Sequence, residues 1–389
     1  AKTERTRQAA LFGLLGSFLV AVIGNLHGFL DAIHARGLGS GAFWSWLDLK
    51  RIADAPVTGK WFPTDPPDSW WWWRASRVIH DRDLLGRDSE VIDEFPFFSF
   101  LLGDMHPHVL GLPFVLLALA LAMNALFAFG RVEQSASQPE RQRGEKLLSR
   151  IFSRAKDLVQ GNAFEIVLTA LCLGGLAFLN TWDFPIYLFI FLAAYLLRHY
   201  LEHGVVDWFQ VVAFAGWITV LGVLFYLPFY VGFRSQAGGI LPELYNVTRL
   251  PQYLVMFGLF VFILVSVILC QWRELFALHD AEGAPWLLPK GVLSSGLQIG
   301  VTILLLPLLA ASLAVLLVTA TSTGRAFVQE LLARPEVQEA VGGQSFRDLL
   351  RRFAMMRLGN PWLVLLLVGM VTALALLIWH RLRLVREEG

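Results

Sequence analysis

Charged side chains are scarce in this sequence. Asp, Glu, Lys and Arg make up 16% of the 389 residues, whereas they make up about 25% of an ordinary soluble domain. So few charges could not solvate a globular surface of this size, and lipid must therefore replace water over much of it. The shortage excludes an ordinary soluble domain, and the hydrophobic content of 56% agrees with that conclusion.

Cysteine is nearly absent, and positive charge has almost no excess. Cys172 and Cys270 both lie in apolar runs, which argues against a disulfide framework or a thiolate metal site. The formal net charge of +1 argues against nucleic acid as a partner, because phosphate-backbone binding needs a basic surface.

Apolar segments long enough to cross a bilayer recur along the chain. About 20 apolar residues suffice for a transmembrane helix. We therefore predict an all-α polytopic membrane bundle of eight helices, over residues 9–30, 109–130, 163–180, 185–201, 205–229, 252–270, 297–320 and 361–380.

The basic residues predict the orientation of this bundle. Residues 131–162 form a compact loop with seven basic residues, and such loops favour the cytoplasmic side. We expect a protein of the cytoplasmic membrane with both termini in the cytoplasm. Residues 31–94, 230–251 and 321–360 then lie on the outer side.

The predicted organisation has four parts, in chain order. They are a first transmembrane helix (1–30), an outer Trp-, Pro- and Asp-rich loop with a re-entrant segment (31–108), a central membrane bundle with the basic loop 131–162 (109–270), and C-terminal helices with an outer amphipathic segment 321–360 (271–389). The run Trp70–Trp73 suits the headgroup level of the membrane.

The densest group of chemically able side chains precedes the second predicted helix. Asp104, His106 and His108 form an Asp-x-His-x-His turn at its outer end. A carboxylate and two imidazoles are suitable ligands for a divalent cation, or groups for proton transfer. The alternative is structural, with Asp104 capping the helix and the imidazoles bonding to loop carbonyls.

Three further polar groups are predicted on the same outer side. Asp183, beside Trp182, either caps a helix that starts near Pro185 or supplies a second carboxylate. Basic residues are candidates for binding a phosphate bidentately or for meeting lipid headgroups; they are Arg74, Arg77, Arg234 and Arg249, with Gly238-Gly239 between the last two. His27, Asp31 and His34 have the spacing of one helix face and are either packed core or functional.

Four segments together resemble a known family. WWWWRASR (70–77), EFPFFSFLLGDMHPHVLGLP (94–113), NTWDFP (180–185) and LPFYVGFRSQAGG (227–239) are similar to the YYY-domain family of uncharacterised multi-pass membrane proteins of Chloroflexi-type bacteria and archaea. That family distantly resembles the polytopic glycosyltransferases that use polyprenyl-phosphate sugars. The seven tyrosines here are never adjacent, so we expect the N-terminal part of the family to be missing from this sequence.

The resemblance implies a glycosyltransferase-like protein, or its C-terminal portion, that handles a lipid-phosphate-linked sugar at the outer face. Asp104, Asp183 and His106 are the catalytic candidates. The substrate-binding candidates are Arg74, Arg77, Trp182, Arg234 and Arg249, and Asp104, His106 and His108 would hold a divalent cation. Expected partners are membrane lipids, a polyprenyl-phosphate sugar, and a second chain or larger complex. The alternative is a non-catalytic structural subunit of a larger membrane complex.

Overall fold

The computed structural model of the chain describes residues 2–50, 52, 55–59, 71–82, 87–127, 147–206, 208–234, 247–281 and 292–388. The chain divides into two compact units, residues 102–240 and residues 1–101 with 241–389. We refer to them as the inner-sequence unit and the terminal unit.

The prediction of a polytopic helical membrane protein is confirmed. Among the described residues, six helices are long and apolar enough to cross a membrane; they are Thr6–Ile23, Pro107–Phe127, Asp183–Glu202, Leu250–Phe276, Ser294–Ala320 and Trp362–Leu382. The other two predicted spans correspond to the shorter apolar stretches Ala163–Leu179 and Gln210–Phe225.

The inner-sequence unit is a bundle of packed helices. They are α6 (Pro107–Phe127), α7 (Leu147–Leu179), α8 (Asp183–His203), α9 (Trp208–Phe225) and α10 (Leu227–Gly232). Its core contains Ile166, Leu173 and Ile218. Helices α7 and α9 approach closely where Gly174 meets Gly222, since a Cβ on Gly174 would lie 2.7 Å from the Gly222 carbonyl oxygen. Small residues at such a contact let two membrane helices pack backbone to backbone.

The predicted span 205–229 is wrong at its C-terminal end. Helix α9 stops at Phe225, and the short helix α10 begins at Leu227. Pro228 in the first turn of α10 explains the break, because its ring and missing N–H interrupt the hydrogen bonds of a continuous helix.

The terminal unit contains the remaining elements. Its helices are α1 (Lys2–Phe18), α2 (His27–Ala35), α3 (Gly41–Leu47), α4 (Trp71–Arg74), α11 (Leu250–Ala281), α12 (Val292–Ala320), α13 (Ser322–Ala333), α14 (Pro335–Val341), α15 (Phe346–Gly359) and α16 (Trp362–Glu388); α5 (Pro96–Leu102) ends at the unit boundary. Strands β1 (His80–Arg82) and β2 (Asp88–Glu90) form an antiparallel hairpin. This hairpin lies within the predicted outer loop 31–108, and its short strands were not predicted.

The predicted first span, 9–30, is also wrong at its end. Helix α1 continues as a π-helical turn over Leu19–Ile23 and stops at Gly24, and α2 begins only at His27. Gly24 has a φ of +61°, and a Cβ there would lie 2.5 Å from a ring carbon of Phe95. Only glycine suits this backbone conformation and this close approach.

Candidate functional site

The Asp-x-His-x-His turn lies at the start of α6. Gly103, with a φ of +66°, follows α5, and α6 begins at Pro107. His106 Nδ1 donates a hydrogen bond to Asp104 Oδ2 at 2.8 Å. The rings of His106 and His108 lie next to each other, with their centroids 5.1 Å apart.

Asp183 joins the same group from the first turn of α8. Its carboxylate accepts a hydrogen bond from the Asn180 side chain and interacts electrostatically with His108. Helix α6 comes so near that a Cβ on Gly111 would lie 3.4 Å from Asp183 Oδ2. Asp104, His106, His108 and Asp183 therefore form one continuous group within the inner-sequence unit, which we call the acid–imidazole row.

The row combines accessible and half-buried groups. The Asp104 side chain is 52% exposed and that of His106 is 31% exposed, while His108 and Asp183 are half-buried. Two carboxylates and two imidazoles can exchange protons with a substrate. The same nitrogen and oxygen donors are suitable ligands for a divalent transition metal ion.

The start of α8 tests the alternative that Asp183 is the N-cap of this helix. The helix begins at Asp183 itself, and the residue before it, Trp182, makes no side-chain cap bond. Besides its contacts with Asn180 and His108, the Asp183 carboxylate lies in the favourable field of the helix N-terminus. Trp182 directly precedes Asp183 in the sequence, and its side chain is 48% exposed.

A second polar group is buried in the terminal unit. His27, Asp31 and His34 all lie on α2, as their spacing predicts, and all three are buried. Arg74 Nη2 donates to Asp31 Oδ2 at 2.6 Å. Burial raises the pKa of Asp31, and the positive charges of Arg74 and His34 act in the opposite direction. Arg74, a predicted substrate-binding residue, thus lies in an internal ion pair.

His27 is the most unusual member of this group. It is 1% exposed, and neither ring nitrogen has a hydrogen-bond partner among the described residues. Burial, and secondarily the charge of Arg74, lowers the pKa of His27 from 6.5 to about 3. The ring is therefore neutral at physiological pH.

The other predicted basic residues have different environments. The Arg77 guanidinium stacks over Trp73, 4.2 Å from the ring centroid, and donates to Ser76 Oγ. Arg234 is exposed at the end of the described part of its unit. Gly238 and Gly239 lie outside the described residues, as do Trp70 and residues 131–146 of the predicted basic loop. The prediction of a loop is wrong for residues 147–162, which form the first half of α7.

Arg249 is paired with an aspartate that sequence analysis missed. Asp48 accepts a hydrogen bond from Arg249 Nη2 and is the one non-glycine residue of positive φ, +49°, in the described part of the chain. His80 lies between Asp48 and Asp88, with its ring nitrogens 3.3 Å from a carboxylate oxygen of each. No spacing signal joins these residues, because the hairpin brings His80 near Asp88 and the fold brings Arg249 to Asp48 across 201 positions of the chain.

Long apolar helices, with a polar row at the start of two of them, define a multi-pass helical membrane protein. The chain belongs to the family described as "Uncharacterized membrane protein (DUF2298)", whose profile matches residues 1–383. No curated protein and no solved structure matches the chain.

Proposed function

We propose that this protein transfers a sugar from a lipid-phosphate donor to an acceptor hydroxyl at the outer face of the cytoplasmic membrane. The observation that carries the proposal is the acid–imidazole row, in which Asp104 is exposed and already hydrogen-bonded to His106. A base for such a reaction must be accessible to the acceptor and held in a defined orientation. Both termini of the chain would lie in the cytoplasm.

In the proposed reaction, Asp104 accepts the proton of the acceptor hydroxyl. The hydroxyl oxygen attacks the anomeric carbon as the bond from that carbon to the phosphate oxygen breaks. The bonding electron pair leaves with the phosphate, so the products are the glycosylated acceptor and free prenyl phosphate. His106 Nδ1 orients the Asp104 carboxylate through the 2.8 Å hydrogen bond.

The other candidates take supporting roles in this proposal. Asp183 and His108 extend the row and would hold a divalent cation or a second proton. Arg234, exposed in the same unit, would bind the donor phosphate, since guanidinium groups pair bidentately with phosphate. Trp182, also exposed, would contact the acceptor or the lipid.

The experiment measures the release of prenyl phosphate, because every sugar donor of this class yields that product. Purified protein in liposomes is incubated with a panel of prenyl-phosphate hexoses and a membrane extract as the acceptor source, and free prenyl phosphate is quantified. The proposal predicts release that requires both the protein and the extract. Release at the protein-free rate with every donor would contradict it.

A non-catalytic structural subunit is the second candidate function. The pairing of Arg74 with the buried Asp31 favours it, because an internally paired guanidinium group stabilises a fold and is less available to a ligand. This candidate predicts stoichiometric protein partners after mild detergent extraction, one of them a chain that supplies further family segments. It also predicts no prenyl phosphate release.

A further inference from the structure

The terminal unit has an open cleft of about 450 Å³ at the beginning of two membrane helices. Its lining includes Trp46 of α3, Arg249 before α11, and Met355, Met356, Asn360 and Trp362 at the junction of α15 and α16. Ligand sites are commonly apolar clefts of this size with a few polar groups. The four apolar side chains named here and the two polar residues, Arg249 and Asn360, match that description.

The cleft lies at the level of the membrane boundary. The apolar spans of α11 and α16 begin at Leu250 and Trp362, directly beside it. Trp46 is 55% exposed and Trp362 is 62% exposed. Exposed tryptophans at the ends of spans are typical of the headgroup region, where the phosphates of lipids also lie.

The charge of the cleft favours an anion. Arg249 is the charged residue among its described lining residues. Both hydrogen bonds from Arg249 to Asp48 use Nη2, and a third of the Arg249 side chain is exposed (33%). The N-terminus of α16 adds a positive dipole end. The neighbouring helix α15, FRDLLRRFAMMRLG, carries four arginines and one aspartate.

We infer that this cleft binds an anionic phospholipid of the surrounding membrane. The phosphate would be bound by Arg249 and Asn360, and the beginning of the acyl chains would cover Met355, Met356 and the two tryptophans. A free anion would leave this apolar wall uncovered, whereas a lipid covers it. The inference goes beyond the proposed sugar transfer, because lipid binding requires no turnover.

The test is lipid retention by the whole protein. Protein is reconstituted in nanodiscs of phosphatidylcholine with a minor fraction of phosphatidylglycerol, released into detergent, and its bound lipids are counted by native mass spectrometry. Met355→Glu places a negative charge in the cleft, and Leu358→Glu makes the same change on the same helix outside it. Both side chains are exposed, at 63% and 76%, so neither change disturbs a core.

The inference predicts retained phosphatidylglycerol in the wild type and in Leu358→Glu. Met355→Glu should reduce retention by about tenfold or more, because it places a like charge beside the bound phosphate. Arg249→Gln should do the same and serves as the second variant if Met355→Glu does not fold. Equal retention in all variants, no preference over phosphatidylcholine, or displacement by equimolar inorganic phosphate would overturn the inference. None of these results depends on sugar transfer.

Discussion

His106 Nδ1 lies 2.8 Å from Asp104 Oδ2, at the start of the membrane helix α6. This hydrogen bond fixes the imidazole tautomer, with the proton on Nδ1 and the lone pair on Nε2. His108, whose ring centroid is 5.1 Å from that of His106, extends the row toward Asp183. The pair gives two different predictions, one for a metal site and one for a hydrogen-bonded turn.

The row should bind a divalent transition metal ion. We expect His106→Ala and His108→Ala each to lower the affinity for Mn²⁺ or Zn²⁺ by about tenfold or more, because each substitution removes a nitrogen donor. His199→Ala, on α8 of the same unit, is the matched control and should leave the affinity unchanged. Isothermal titration of the chelator-treated protein measures it. If both row variants bind like the control and only unfold at lower temperature, the turn is structural.

The contact between Gly174 and Gly222 should be intolerant of side chains. Gly174→Ala would place its Cβ 2.7 Å from a backbone oxygen of α9, and such overpacking costs about 1–3 kcal/mol. Gly216→Ala is the control, because a Cβ at Gly216 meets nothing within 4 Å. Alanine there should be neutral or slightly stabilising, since it favours the helix. Thermal unfolding in detergent compares the two, and equal stability would refute the close packing of α7 and α9.

His27 should make the protein less stable as the pH falls. Because burial lowers its pKa from 6.5 to about 3, the unfolded state binds a proton in this interval that the folded state does not. The free energy of unfolding should therefore fall with decreasing pH between those values, by up to about 1.4 kcal/mol per pH unit. Above pH 6.5 the ring is neutral in both the folded and the unfolded state, so the full stability is retained.

His27→Leu tests this pH dependence. The variant should be at least as stable as the wild type at neutral pH, because the ring nitrogens have no partner among the described residues, and its stability should depend less on pH. Burial also raises the pKa of Asp31 and Asp93. These two carboxyl groups lower the free energy of unfolding as the pH rises. They do so in the wild type and in the variant alike, so their effect cancels when the two proteins are compared. A variant with the same pH slope as the wild type would refute a buried neutral His27.

The basic loop should face the cytoplasm. A single cysteine at Ser137, in a background in which Cys172 and Cys270 are replaced, should react with a membrane-impermeant maleimide only after the cells are opened. An exposed residue of the predicted outer side, Arg234→Cys, is the control and should react in intact cells. Labelling of Ser137→Cys from outside would reverse the orientation and move the proposed reaction to the other face.

Hydropathy predicted the helical membrane class and the positions of the spans, because lipid requires long apolar helices wherever the chain crosses. It missed the breaks at Gly24 and Tyr226, which depend on packing against Phe95 and on a single proline. For the site, local spacing was enough to group Asp104 with His106 and His108. The approach of Asp183 to His108, and the pairs Arg74–Asp31 and Arg249–Asp48, depend on tertiary contacts between distant segments. A single sequence does not contain those contacts.

The most direct test of the central claim is the rate of prenyl phosphate release by Asp104→Asn. The substitution keeps the shape and a hydrogen-bond acceptor for His106 but removes the base. Because general base catalysis typically contributes 10²–10⁴-fold, we predict a rate lower by about a hundredfold or more, with normal insertion and unfolding temperature. Glu202→Gln, at the other end of α8 in a pair with Arg198, is the matched control and should keep the full rate. An Asp104→Asn protein that releases prenyl phosphate as fast as this control would contradict the catalytic role of the acid–imidazole row.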